Sequence, residues 1–395
     1  MLNKNKILIG VSAAAFLGPF TQTIYTPSLV KMEAFFDVNT VLINLTISLF
    51  TAILAVSNFI VGPIADRYGR RTTLLPGLLL FALGSLVCLL ASSYGLFLAG
   101  RVVQAMGIST AILMAPTVIG DLYPPQERAR AMSVYQTINF LGPVAGPVIG
   151  GLIAGHLQWQ WSFAFLLLAA LAVWFYNFKV MRETLPQNVA PARVTLRTFR
   201  TVFAERSAAA IIFLGFCQFY GYYSFLVFLP QLLTSLEPVS ALSAASEGFL
   251  FVPLTAGLLL GVWLGNRLQK KWARTRILGV SSFVIGFNVL ALWGALQLGL
   301  VTVPLLETFL FVYGMSLGCS LPVQSTIMIN LFQNEKATAL GVYNFSRFMG
   351  AAIGPIVGGF IAMALKLNTV FLVLGVMLSL AALVLHKNLS DPYEA

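Results

Sequence analysis

One segment of this chain is written twice. Glu127 to Gly151 reads ERARAMSVYQTINFLGPVAGPVIGG, and 208 positions further on Glu335 to Gly359 reads EKATALGVYNFSRFMGAAIGPIVGG. Both copies close on G-x-x-x-G-P-x-x-G-G inside a long apolar stretch, so the duplicated element is a membrane helix together with its small-residue packing face. A chain built this way must fold as two halves of one design. A parallel repeat of membrane helices points to a transporter with its site between the halves.

Composition excludes the soluble alternatives. Apolar residues make up 58% of the 395, charged residues only 9%, and mean hydropathy is +0.87, which a water-soluble domain could carry only by exposing large apolar patches. The first apolar stretch, Ile7 to Leu29, exceeds a signal-peptide core and shows no small-residue cleavage site, so it is expected to be a retained span. At about 20 residues per crossing, twelve spans are expected, near 7–29, 40–64, 72–92, 95–121, 130–154, 159–181, 207–235, 245–268, 276–298, 300–330, 337–363 and 368–386. The expected fold is an all-α polytopic membrane protein: a bundle of six helices over 1–181, a linker over 182–206 and a second six-helix bundle over 207–395.

Charge fixes the expected orientation. With both termini in the cytoplasm, the cytoplasmic segments hold nearly all the basic residues, from Lys4 and Lys6 through Arg67, Arg70, Arg71, Arg128 and Arg130 to Lys336 and Lys387. The linker adds Arg182, Arg193, Arg197, Arg200 and Arg206. The opposite loops hold only Lys31 and Lys366, the asymmetry of a multi-pass protein of the cell (inner) membrane. The formal charge of +11 then reflects topology and attraction to anionic lipid, and no nucleic-acid partner is expected. Cys88, Cys217 and Cys319 lie on three different apolar stretches, so neither a disulfide nor a metal site is expected.

The loop after the second span reads Gly62-Pro63-Ile64-Ala65-Asp66-Arg67-Tyr68-Gly69-Arg70-Arg71. Gly69 permits a tight reversal, Arg70 and Arg71 hold the loop in the cytosol, and Asp66 offers a carboxylate to a helix N-terminus or an arginine. The segment resembles the G-x-x-x-D-R-x-G-R-R signature of the major facilitator superfamily. The resemblance implies that Gly62, Asp66, Arg67, Gly69, Arg70 and Arg71, with Asp121 of the D-L-Y-P-P-Q-E-R-A-R turn, gate the cytoplasmic side. The corresponding loop of the second half, Gly265 to Lys271, lacks the acid, and a one-sided latch is expected.

On the fifth span Gly142, Gly146 and Gly150 recur every four residues beside Pro143, Pro147 and Gly151, and on the eleventh Gly350, Gly354, Pro355, Gly358 and Gly359 repeat the pattern. Such stripes let helices approach closely. They resemble the antiporter motif of the superfamily's exporters, which implies that they pack the seams between the domains. Arg101 in Ala99 to Gly107 resembles the R-x-x-Q-G motif of the fourth span, with Ala105 at the usual glycine. Across its whole length the chain is similar to the twelve-span drug:H+ antiporter family. One departure is that Thr23 stands where many relatives carry a proton-bearing aspartate.

What remains for proton chemistry is short. Arg101 lies about 9 Å from the outer end of the fourth span, and Glu307 lies at a similar depth on the tenth. The resemblance implies that spans one, four, seven and ten line a central cavity, so Glu307 is the expected proton acceptor and Arg101 the charge that tunes it across that cavity. A static ion pair, or a Glu307 solvated near the outer headgroups, remains the alternative. Arg347, whose repeat equivalent is Asn139, lies about 15 Å into the eleventh span and is expected to face the cavity. Span seven is rich in aromatics, of which Tyr220 and Tyr223 are expected to reach the substrate, with Gln22, Tyr25 and Asn44 as further polar contributors.

No phosphate loop, metal cluster or catalytic constellation is visible, so no enzyme activity and no cofactor is expected. The expected function is proton-coupled export of amphipathic small molecules by a membrane-embedded monomer, the coupling and the export direction being implied by the resemblance. The alternatives are an exporter of one metabolite such as a sugar, siderophore or amino acid, an uncoupled carrier, or a membrane receptor with a transporter-like body.

Overall fold

The computed structural model describes residues 4–185, 196–236, 251–269 and 271–392. The expected first span, 7–29, proves to be broken. Helix α1 (Lys4–Thr23) ends before a 3-10 turn at Thr26–Ser28, and a short helix α2 (Leu29–Phe36) follows. Pro27 is the cause: it has no N–H and disfavours helical backbone at Thr26, so Thr26 Oγ1 turns back to the Thr23 carbonyl at 2.8 Å.

The remaining helices are α3 (Thr40–Tyr68), α4 (Arg70–Leu89), α5 (Tyr94–Leu122), α6 (Pro125–His156), α7 (Gln160–Val180), α8 (Leu196–Ala204), α9 (Arg206–Leu236), α10 (Phe251–Leu268), α11 (Arg274–Gln297), α12 (Val303–Leu331), α13 (Lys336–Ala364) and α14 (Leu367–Asn388). Their ends follow from local chemistry. The Asn39 side chain accepts from Leu42 N at 2.9 Å to cap α3, and Ser93 accepts from Leu96 N at 3.3 Å to cap α5. Between α3 and α4 the chain reverses at the single residue Gly69, whose φ of +108° is a conformation open to glycine.

Among the described residues, eleven helices are long and apolar enough to cross a membrane. The expected eighth span is represented by the shorter apolar helix Val252–Leu268, because the expected start at 245 lies outside the described residues. Phe287, Phe360 and Leu168 are each about two-thirds exposed or more, an arrangement that only a hydrocarbon solvent stabilises.

The helices fall into two units, Met1–Phe199 with Phe332–Phe345, and Arg200–Leu331 with Ser346–Ala395. In the first, α1 packs on α5, α6 and α7, α3 on α5, and α4 on both α5 and α7. In the second, α9 packs on α12 and α14, α10 on α12, and α11 on both α12 and α14. The same neighbour relations thus recur after the repeat. The division differs from the expected boundaries at one place: the first turns of α13 group with the first unit. The reason is visible at α3, where Gly62 lies against the Ala337 carbonyl and Gly341 against the Asn58 carbonyl, each too close to accommodate a β-carbon.

The glycine stripes depart from expectation as well. A β-carbon at Gly142 would meet Phe20 N at 2.9 Å and one at Gly146 would strike Thr23, both on α1, and one at Gly150 would strike Ile24, the residue that follows α1. In the second unit Gly350 abuts the Phe216 carbonyl, Gly354 the Tyr220 carbonyl and Gly358 the Phe228 ring, all on α9. These approaches seat α6 and α13 on the first helix of their own bundles, rather than making the expected seam between domains. Gly151 and Gly359 have nothing within 4 Å of an added β-carbon, so the last glycine of each motif does not pack at all.

Candidate transport site

Arg101 sits on the second turn of α5 with none of its side chain exposed. Its guanidinium lies 4.6 Å from the centre of the Tyr25 ring and 4.2 Å from that of Phe50, so an aromatic clamp holds the cation. Nη1 donates to Gln104 Oε1 at 2.9 Å, Nη2 to the Tyr25 hydroxyl at 3.4 Å, and Gln104 in turn donates to Ser85 Oγ at 2.8 Å. Tyr25 also pairs with Thr46 at 3.0 Å. Nε has no partner, and Arg101 forms no ion pair among the described residues. The described partners of Arg101 all lie in its own bundle. Gln22 is half-buried close by in sequence, and the side chain of Asn44 lies outside the described residues.

The second bundle buries a neutral polar cluster instead. Gln218 on α9 donates to Ser320 Oγ at 2.9 Å and accepts from Gln324 Nε2 at 2.8 Å, both on α12, while Tyr313 donates to the Gln218 carbonyl at 2.9 Å. Gln218, Ser320 and Gln324 are all fully buried. Beside it stands an aromatic wall: the Arg347 guanidinium lies 4.0 Å from the Phe219 ring centre, and Phe219 contacts Tyr222, Tyr223 and Phe348. Tyr223 is half-buried, whereas Tyr220 is 2% exposed. The Tyr220 hydroxyl and the Ser224 hydroxyl one turn on are both buried without a partner among the described residues. Glu307 is half-buried in the second turn of α12. One and two turns further along the same row, Phe311 and Met315 pack against Gly257 and Gly261 of α10, so this row of α12 is the α10-facing one.

The signature loop gives the densest geometry. Asp66 Oδ1 accepts from Arg70 Nη1 at 2.8 Å and from Ala337 N at 3.2 Å, and Oδ2 accepts from both the backbone N and the hydroxyl of Thr338 at 2.7 Å. The Asp66 carboxylate thus satisfies free N–H groups at the start of α13, where the helix dipole favours negative charge. Arg70 Nε pairs with Asp121 Oδ2 at 3.0 Å, and Asp121 Oδ1 accepts from Lys336 Nζ at 2.8 Å. Two acids and two cations alternate in one buried chain, Asp66–Arg70–Asp121–Lys336, in which Arg70 and Asp121 each lie between two opposite charges. Arg71 instead donates to the Phe178 carbonyl at 2.9 Å, and Arg67 is exposed beside the Tyr68 ring.

Sequence reasoning missed three members of this cluster: Lys336, Thr338 and Glu183. Glu183 accepts from Arg70 N at 2.7 Å and from Arg71 N at 3.1 Å, capping α4 at the Gly69 turn. The repeat held the signal. Asp391 stands 208 positions after Glu183, and it pairs with Arg274 Nε at 2.5 Å at the start of α11 while accepting from Asn330 Nδ2 at 3.0 Å at the end of α12. Asp391 thus holds the end of the second half as the repeat counterpart of Glu183, while the 265–271 loop itself has no counterpart of Asp66.

Glu335 immediately precedes α13, and its backbone carbonyl accepts from Ala339 N at 2.9 Å. Burial, together with the nearby Asp66 carboxylate, raises its pKa from the ordinary carboxylate value.

The profile of the Major Facilitator Superfamily matches residues 11–352 and, overlapping them, 289–394. The chain belongs to the major facilitator superfamily. It is therefore a multi-pass membrane transporter of small molecules, not an enzyme. The superfamily chain is 28% identical over 271 residues to multidrug resistance protein D of Escherichia coli (strain K12), covering 69% of this chain and 68% of that one. It is 24% identical to the bacillibactin exporter of Bacillus subtilis (strain 168), over 96% of this chain and 95% of that one. Among solved structures, the proton:xylose symporter XylE bound to 6-bromo-6-deoxy-D-glucose superposes with a TM-score of 0.78 at 16% identity, covering 98% of this chain and 96% of that one. That likeness establishes the shared fold.

Proposed function

We propose that this transporter exports amphipathic small molecules across the cell (inner) membrane by alternating access, in exchange for protons. The observation that carries the reading is the Asp66 carboxylate closing on the first turn of α13, a helix whose start groups with the first unit and whose remainder groups with the second. Such a contact is polar, local and reversible, so releasing it frees one end of a helix without unpacking either core. The basic loops support a cytoplasmic position for this closure and for both termini. Export is supported by relatives named for multidrug resistance and for bacillibactin export.

In this scheme the aromatic wall of Phe219, Tyr222 and Tyr223 receives the apolar body of the substrate. The unpartnered hydroxyls of Tyr220 and Ser224 offer hydrogen bonds, and Arg101 and Arg347 supply positive potential. Glu307 carries the proton, because it is a half-buried carboxylate inside a described span, in the second turn of α12. The test is flux in inverted vesicles over a panel of amphipathic cations, anions and neutral compounds. Flux of several classes that collapses when the pH gradient is dissipated supports the proposal, and flux indifferent to the gradient overturns the coupling. Glu307→Gln is expected to abolish gradient-driven flux while sparing counterflow exchange.

A second reading, export of a single metabolite, is favoured by one observation: the match to the bacillibactin exporter spans nearly the whole of both chains, against about two-thirds for the multidrug relative. Flux restricted to one compound of the panel would select it.

A further inference from the structure

We propose that α8 is an interfacial anchor that docks on the anionic phospholipid headgroups of the leaflet facing the linker. The helix comprises nine residues, Leu196–Ala204, and the membrane span of α9 begins at Arg206, two positions beyond its end. That short interval holds the end of α8 at the boundary between headgroups and water. Helical spacing places positions 196, 199, 202 and 203, occupied by Leu, Phe, Val and Phe, along one side of the axis, and positions 197 and 200, both Arg, on another. In the structure Val202 is fully buried while Phe203 is half exposed, so the apolar face is only partly covered by protein.

Exposed basic side chains stand beside that face. Arg200 and Arg206 are exposed and form no ion pair among the described residues. Glu205, at the junction of α8 and α9, accepts from Ala208 N at 2.5 Å at the start of α9. A short helix with a phenylalanine at the water boundary and unpaired arginines around it has the makeup of an in-plane membrane anchor. Each arginine is expected to strengthen the association about fivefold in an anionic leaflet, and the Phe203 ring supplies the apolar part. The occupant is thus a lipid surface bearing phosphodiester charge. The inference is independent of the substrate and of proton coupling.

The experiment uses the full-length chain with Ala204→Cys, an exposed position, labelled with an environment-sensitive fluorophore; the three native cysteines are buried. The protein is placed in nanodiscs of phosphatidylcholine with increasing phosphatidylglycerol, including a lipid with a nitroxide high on its acyl chain. Quenching that grows with the anionic fraction supports the anchor. So does a fall of about fivefold per arginine in the docked-to-undocked ratio, read from the quenching at fixed phosphatidylglycerol, when Arg200→Gln and Arg206→Gln are introduced, with Phe203→Ser abolishing the quenching. Quenching that is the same with and without phosphatidylglycerol overturns the proposal. It is equally overturned if inorganic phosphate alone, in phosphatidylcholine discs, reproduces the change.

Discussion

Arg274 and Asp391 are 117 residues apart in sequence and meet through Nε and Oδ2 at 2.5 Å, with the Asp391 side chain fully buried. This pair ties the start of α11 to the chain beyond α14, as Glu183 ties the start of α4 to the chain beyond α7. The partners differ because the chemistry does: Glu183 takes backbone N–H groups at the Gly69 turn, while Asp391 takes a guanidinium and the Asn330 amide. Each half therefore closes the same end with an acid that follows its sixth span.

Replacing Asp391 leaves the Arg274 charge and the Asn330 amide without their partner. Asp391→Ala is expected to destabilise the protein by about 3–5 kcal/mol, the usual cost of removing one member of a buried pair. Thermal unfolding in detergent micelles measures it. The double variant with Arg274→Gln should lose less than the sum of the two single losses, and strict additivity would show that the pair is not coupled.

Asp66→Asn keeps the shape of the side chain but removes its charge from the start of α13. The weakened hydrogen bonds to Ala337 and Thr338 are expected to free the first turn, raising alkylation of Ala337→Cys by about tenfold or more, since a charge-assisted bond contributes about 1.5–3 kcal/mol. An unchanged alkylation rate would remove Asp66 from the gating scheme.

Two glycines of one motif are expected to behave in opposite ways. Gly150→Val drives a side chain into the Ile24 carbonyl and separates α6 from α1, whereas Gly151→Val meets open space. The first should abolish transport and lower the yield of folded protein, and the second should alter stability by about 0.5 kcal/mol or less. Transport assays and fluorescence-detected size-exclusion chromatography on both variants check the contrast. Comparable damage from both would contradict the packing described.

Glu335 links the closed end to pH. Its pKa is raised by burial and by Asp66, so its ionised form is disfavoured in this arrangement. The penalty is absent below the ordinary carboxylate value of 4.5 and grows as pH rises through the raised pKa, so acid favours the arrangement and neutral pH loosens it. Glu335→Gln should flatten the dependence of Ala337→Cys alkylation between about pH 4 and 7. Because the thiolate fraction of the cysteine itself grows with pH, the check is the ratio of the rate with Glu335 present to that with Glu335→Gln, and a ratio that falls as pH rises would have the wrong sign.

The sequence alone determined what local chemistry and one-dimensional pattern can specify. Apolar length set the spans, the repeat set the pairing of halves, and Gly69 and the G-x-x-x-D-R-x-G-R-R segment set the tight reversal and its acid. It also offered Asp66 to a helix N-terminus or an arginine, without deciding between them; the structure uses both. The tertiary structure decided the partners: Lys336 and Thr338 for the first-half cluster, Asp391 for Arg274, α1 and α9 for the glycine stripes, and Tyr25 with Phe50 as the clamp on Arg101. Those choices depend on which helices are neighbours and how they are rotated about their axes. Periodicity leaves that rotation free in a chain that is apolar on nearly every face, because lipid and protein interior select the same residues.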